Sequence, residues 1–412
     1  MLAITVTPDG TRAVSGGDDG SVRVWDLAAG REQAVLAGRS GEVLAVAVTP
    51  DGSRVVSGGA DRSLHVWDLA TGDEQAVLAG HGGWVRCVAV TPDGTRAVSG
   101  GSDGSVRVWD LATGRAAVPP SPGRAATARL KRSTPADPEP AGKDGDGSWA
   151  FSLAVTPDGS RAVSGSDDGS VRVWDLATGR QQAALTGHAR PVWSVAVTAD
   201  GARAVSGGSD GSVRVWDLTS GRQQAVLTGQ GRQVLAVAVT PDATVAVGGS
   251  GSDLQVWDLA AGAERATLTG HSGRALSVAV TPDATLAVSG GSDGSVRAWD
   301  LTTGRQQAVL AGHAGEVFAV AITPDGGRAV SGGEDRTVRV WDLAVGAEVA
   351  RWIGDYPIIG CAAVSGTFLS IGVGLRQGAP FLLEFCDDPG TGAGRGRVDS
   401  TGRSPRAAAG RS

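Results

Sequence analysis

The chain is poor in the residues that most often mark chemistry or a membrane. Of its 412 residues, three are cysteine, one is methionine and one is tyrosine. Cys87, Cys361 and Cys386 form no CxxC pair, which argues against a disulfide framework and against a zinc site. No apolar run approaches the roughly 20 residues needed to span a bilayer. The N-terminal stretch "MLAITVTPDG" has neither the basic segment nor the long apolar centre of a secretory signal. Lys131 and Lys143 are the only lysines among 37 basic residues, a bias that points to GC-rich, bacterial coding. The net charge of −6 argues against nucleic acid or an anionic membrane surface as partner. HExxH, P-loop, GxGxxG and GxSxG motifs are all missing. The expectation is a cytoplasmic protein with no metal and no cofactor.

Glycine and tryptophan are plentiful, at 64 and 12 residues, and both recur at fixed places. The dodecamer "GGSDGSVRVWDL" stands at 100–111 and again at 207–218. Trp-Asp recurs at Trp25, Trp67, Trp109, Trp174, Trp216, Trp257, Trp299 and Trp341, with spacings of 42, 42, 65, 42, 41, 42 and 42. A fixed period of this length marks a repeat architecture. Each unit reads as four strands: an apolar run such as "VLAVAV" closed by a Pro-Asp-Gly turn, then "RAVSGG", then "SVRVWDL", then "RQQAVLTG". No helical period intervenes, so the sheets are antiparallel.

Four strands per unit, each third strand ending in Trp-Asp, resembles the WD-repeat family of β-propellers over residues 1–386. The resemblance implies an all-β fold of four-stranded blades around a channel. It also implies a hydrogen-bonded tetrad in each blade. Complete sets are His81/Ser99/Asp103/Trp109, His188/Ser206/Asp210/Trp216, His271/Ser289/Asp293/Trp299 and His313/Ser331/Asp335/Trp341. Arg39 and Gln230 replace His, and blade six has Val247 and Gly251 in place of Ser and Asp, so blade six is expected to be the loosest regular copy. A Ser, a His and an Asp together also fit a catalytic triad, but a catalytic site is single and this set is stamped out four times.

A ninth, degenerate unit follows Trp341 as "IIGCAAVSGTFLSIGVGLRQGAPFLLEF" and resembles the closing repeat of bacterial modules attached to signalling NTPases or kinases. Nine units leave two arrangements open, one ring of eight to nine blades or seven blades plus two. The family closes its rings by borrowing an outer strand from the other end of the chain. Met1 aligns with Val43, Val85, Val192, Val234 and Val317, so we expect it to be an internal valine codon read as a start. Residues 115–147, between blades three and four, are rich in proline and small polar residues. They are expected to be a disordered loop, and 387–412 a disordered tail.

The scaffold repeats, so the positions that vary between copies are candidates for function. Three residues past the His position stand Glu42, Trp84, Trp149, Pro191, Gln233, Arg274, Glu316 and Ile358. Before the turn Asp stand Asp18, Ala60, Ser102, Asp167, Ser209, Ser292 and Glu334, with Ser250 at the matching place in blade six. The resemblance places both rows on the top face, where the family binds partners. Trp84, Trp149 and Trp193 are expected to form an apolar patch near the channel mouth, with Arg274 across the ring. The first functional reading is a non-enzymatic scaffold that binds protein partners. The second is a regulatory module of a larger signalling NTPase or kinase. An enzyme site in the channel would need His or carboxylates converging from the inner strands, which read "LAVAV", "RCVAV", "WSVAV" and "FAVAI". The chain is expected to be monomeric unless an open ring pairs. "GGSGSDLQV" at 248–256 is a single imperfect copy of a calcium-binding nonapeptide and carries little weight.

Overall fold

A computed structural model describes residues 3–17, 19–36, 41–117, 149–228 and 232–353. Eight four-stranded antiparallel sheets form, over residues 3–36, 43–79, 85–116, 150–185, 192–228, 234–269, 275–311 and 317–353, and these are blades one to eight. Strand order within each sheet follows the sequence. The first strand of each blade lies against the first strand of the next, and that of blade eight lies against blade one, so the ring closes as a β-propeller. Of the two arrangements left open by nine units, a single ring forms, with eight blades. The ninth unit, the C-terminal tail, Arg39, Gln230, Asp18 and Ile358 lie outside the described residues. Among the described residues no helix is long and apolar enough to cross a membrane.

Each interface is one apolar cluster shared by two blades. Between blades four and five, Val163, Val171, Val173 and Leu185 pack against Val192, Val195, Trp216 and Leu218. The Trp of one blade thereby wedges against the preceding blade. Closure repeats the same pattern: Trp25 and Leu27 of blade one pack on Val338, Val340 and Trp352 of blade eight, with the two indoles 5.5 Å apart. Among the described residues no borrowed strand is used, because all eight sheets consist of consecutive strands.

A polar latch accompanies most interfaces. The arginine that opens the second strand reaches the carbonyl oxygen of the leucine after Trp-Asp in the next blade. Arg96 donates to Leu176 at 2.7 Å, Arg161 to Leu218 at 2.6 Å and, across the closure, Arg328 to Leu27 at 3.2 Å. Blades six and seven have Val245 and Leu286 at that position and so cannot make it. Their first turns are also the exceptions. In blades one to five and blade eight the Pro-Asp-Gly-type turn places glycine at φ between +66° and +71°, whereas Ala243 and Ala284 adopt φ of +58° and +60°. A residue with a Cβ pays roughly 1 kcal/mol or more there. Between blades seven and eight, the buried Ser277 hydroxyl also lacks a partner, where Ser152 and Ser194 each accept an N–H from the next blade, at 3.0 and 3.1 Å.

Blade six departs furthest, and its register corrects one expectation. Counting ten residues back from Trp257 gives Val247, but Val247 faces Val256 and it is Gly248 that faces Gln255, as Ser99 faces Arg107. The turn between the second and third strands is one residue shorter, Gly251-Ser252 between the paired Ser250 and Asp253. Trp257 Nε1 and both amide atoms of the fully buried Gln255 have no hydrogen-bond partner. Each such buried group costs about 1–3 kcal/mol.

Among the described residues the outer strand of blade three is short: Arg115–Ala116, at the start of the segment expected to be a disordered loop, forms a strand, and 118–148 lies outside the described residues. Pro119-Pro120 follows in sequence, and proline cannot extend a ladder by donating. In the other blades the matching third-strand Val or Leu pairs with an outer-strand leucine, as Val22 with Leu36, or in blade eight with Trp352. Val106 has no such partner among the described residues and is half-buried, as is Trp174 of the next blade.

Two measurements follow. Hydrogen exchange is expected to be faster over 234–311 than over 150–228; equal protection would contradict the assignment of blades six and seven as the weak arc. Ala284→Gly is expected to raise unfolding stability by about 1 kcal/mol in a denaturant titration, since it relieves the left-handed backbone; a loss would overturn that reading.

Candidate functional site

The four complete tetrads form with near-identical geometry. In blade three the Trp109 indole N–H donates to Ser99 Oγ at 2.8 Å, Ser99 Oγ lies 2.7 Å from His81 Nε2, and His81 Nδ1 lies 3.0 Å from Asp103 Oδ2. An indole nitrogen can only donate, so Ser99 accepts from it and gives its own hydrogen to Nε2, leaving the proton of a neutral imidazole on Nδ1. The same chain runs through blade five (Trp216, Ser206, His188, Asp210), blade seven (Trp299, Ser289, His271, Asp293) and blade eight (Trp341, Ser331, His313, Asp335). The Asp also accepts backbone N–H bonds at the turn, from Gly82 at 2.7 Å and Ser105 at 3.0 Å for Asp103. Ser99, Ser206, Ser289 and Ser331 are fully buried and each accepts an indole N–H, so their hydroxyls face no open surface. Blades one, two and four make the Trp–Ser bond of the tetrad: Trp25–Ser15, Trp67–Ser57 and Trp174–Ser164 at 2.7, 2.8 and 2.9 Å. His65, in the third strand of blade two, bridges Asp61 at 3.0 Å and Glu74.

Burial lowers the pKa of His81, His188 and His271 below the ordinary 6.5, against the pull of their Asp partners. Burial alone would raise the Asp210 carboxyl, but the His188 hydrogen bond and the Ser212 N–H outweigh it and bring the value down to about 2. Asp103, Asp293 and Asp335 are likewise held well below the carboxylate range.

The varying positions meet at one end of the ring, where each inner strand starts and each second strand ends. The two rows lie side by side. The backbone N–H of Ser102 donates to Trp84 O at 2.8 Å, Asp167 to Trp149 at 3.1 Å, Ser292 to Arg274 at 2.8 Å, Glu334 to Glu316 at 2.8 Å and Ala60 to Glu42 at 2.9 Å. Gln233 of blade six is half-buried and Ser250 is buried. On blades seven and eight, burial and then the charge of Glu334 push the Glu316 carboxyl up, and Arg274 partly offsets them.

Beside these rows each inner strand of blades two to eight carries a bulge at its second residue. In blade four, Ala150 pairs with Ser166 and Ser152 with Gly165, which leaves Phe151 unpaired. The same skip leaves Leu44, Arg86, Trp193, Leu235, Leu276 and Phe318 unpaired. Bulges re-aim side chains, and here neighbouring bulge residues meet around the ring. Phe151 stacks on Trp193 with centroids 4.7 Å apart. The Arg86 guanidinium carbon lies 5.8 Å from the Phe151 ring, 4.7 Å from Trp149 and 5.8 Å from Trp84. Trp149 meets Phe151 edge-on at 6.1 Å, and the Trp193 indole donates to Ser209 Oγ.

The three tryptophans singled out by sequence, Trp84, Trp149 and Trp193, are thus brought into one cluster over blades three, four and five. Arg86 and Phe151, which join them, were missed. Searching the inner strands for His or carboxylates left the Arg of "RCVAV" unweighed; the signal was that one strand in the set carries a charge. Arg274, Glu316 and Glu334 form a separate charged group on blades seven and eight. Trp193 is only 6% exposed and forms the floor of its cluster. Among the described residues no group of three or more His, Cys, Asp or Glu is placed to hold a metal ion.

The profile of the WD domain, G-beta repeat family matches residues 2–26, 30–68, 72–110, 143–175, 179–217, 262–300 and 304–342. The unmatched interval between 217 and 262 holds most of blade six, the copy with the shortened turn. Among solved structures, the computationally designed Ika8 protein is similar at 26% identity and a TM-score of 0.65, over 80% of this chain and 96% of that one. No curated protein matches.

The tetrads predict an acid response. A histidine whose folded pKa is lowered takes up its proton more readily unfolded, so its stability is full above 6.5 and falls as pH drops below it. A depressed Asp holds its stability above 3.8 and loses it as pH falls toward the folded value, about 2 for Asp210. Melting temperature is therefore expected to decline in two stages, below about pH 6.5 and again below about pH 4. Asp210→Asn should flatten the second stage; an unchanged profile would contradict the assignment.

Proposed function

Because the chain belongs to the WD40 family, whose propellers are commonly protein-interaction scaffolds, we propose that it is a non-enzymatic scaffold binding a protein partner on the end of the ring that carries the varying rows. The observation that supports this most is the joining of Trp84, Arg86, Trp149, Phe151 and Trp193 across three blades. Trp and Arg dominate binding energy at protein interfaces because they bring large area with few rotatable bonds and a polar handle. Trp84 and Trp149 are half-exposed, and Trp193 and Phe151 support them from below. The framework that carries them repeats, while the side chains it displays do not, as a rigid platform with one specific face requires. The tetrads are closed hydrogen-bond circuits.

The test is affinity capture with the Trp84→Ala/Trp149→Ala variant. Loss of captured partners at unchanged melting temperature is expected, with truncation of such anchors costing about 2 kcal/mol or more of binding. Unchanged partners with the fold intact would overturn the reading. Arg274→Glu, on the far arc, extends it: parallel loss would widen the binding face to Gln233, Glu316, Glu334 and Glu42, and retention would confine it to blades three to five, where Asp167 stands.

A further inference from the structure

Arg86 is half-buried, its side chain makes no hydrogen bond or ion pair among the described residues, and its Nε lies out of solvent without an acceptor. Its surroundings hold the cation by other means. Trp149, Trp84 and Phe151 place their rings within 4.7–5.8 Å of the guanidinium carbon. Rings attract a cation through their π-faces and accept none of its five in-plane N–H donors. Asp167 exerts an electrostatic pull on Arg86 but makes no hydrogen bond to it among the described residues, and its Oδ1 accepts the Trp149 backbone N–H at 2.6 Å. A buried N–H without an acceptor is unfavourable, and an anion that reaches the guanidinium can supply acceptors for its remaining donors. The bulge at the second residue of Val85–Val90 aims this arginine among the side chains at the channel mouth, whereas the matching bulges elsewhere display only Leu, Phe or Trp.

We propose that Arg86 is the specificity determinant of the top-face site and takes a carboxylate side chain, Asp or Glu, from a loop of the partner, with the aromatic walls taking an apolar neighbour of that residue. This rests on the scaffold reading above. A carboxylate fits better than a phosphate: it is planar with two acceptor oxygens, matching the guanidinium fork, and it carries one negative charge where Asp167 and Asp168 would repel a dianion more strongly.

The test is a displayed random-peptide library panned against the full chain, with the enriched peptides titrated against variants of known melting temperature. Enriched peptides are expected to share an Asp or Glu beside an apolar residue. Arg86→Met should weaken them by about tenfold or more, Arg86→Lys by less, and the peptide's Asp→Asn change should weaken binding to the native chain but not to Arg86→Met. If Arg86→Met does not fold, Arg86→Lys with the altered peptide still reports the coupling. Peptides without an acid, bound equally by Arg86→Met but lost with Trp84→Ala/Trp149→Ala, would overturn the carboxylate inference and leave the scaffold reading standing. Binding that survives both sets of variants, or no enrichment, would overturn both. A phosphoserine peptide that outbinds its Asp counterpart would also overturn the choice of carboxylate.

Discussion

The structure depends on one contact made eight times: an indole pressed against the preceding blade. A four-stranded sheet with two apolar faces is not stable alone, and stacking blades in a ring buries both faces of every sheet. The indole supplies much of the buried area at each interface, and its N–H needs an acceptor once it is out of water. A serine on the neighbouring strand supplies that acceptor in seven blades. In four of them the serine hydrogen is passed to a histidine and the histidine hydrogen to an aspartate, so the turn that ends the second strand is tied to the core of the blade. The constellation that looks like chemistry is the solution to a burial problem.

The same constraint explains where the ring is weak. Gly248 takes the serine's place in blade six, so Trp257 keeps its packing but not its bond. Blades six and seven also carry alanine in a left-handed turn and lack the arginine latch. Those losses fall together on one arc. The arc formed by blades three to five keeps its latches and displays the aromatic cluster, so the proposed binding face stands on the better-tied part of the ring.

Much of the fold was legible in the sequence because a strict period fixes strand count, turn chemistry and the tryptophan wedge together. Blade number was not, since the ninth unit keeps the rhythm without the Trp-Asp that marks an interface. The blade-six register was misplaced for a related reason: counting from Trp257 assumes a turn of constant length, and the deletion sits inside that turn. At the candidate site, Trp84, Trp149 and Trp193 were visible as departures from the repeat. Arg86 and Phe151 were not, because their role comes from a bulge, and a bulge is a property of pairing between two strands that a single strand's letters do not display.

Each sheet is made from four consecutive strands, and blade eight meets blade one through the same kind of apolar cluster and arginine latch as its neighbours do. The ring therefore has no clasp. Joining the ends of the ring and opening the chain between any other two blades would leave every sheet whole, so circular permutants are expected to share the parent's architecture. By the same reasoning, the choice of where the polypeptide is cut is nearly independent of which blade carries the binding face, and the aromatic cluster on blades three to five can be moved along the chain without being moved in space.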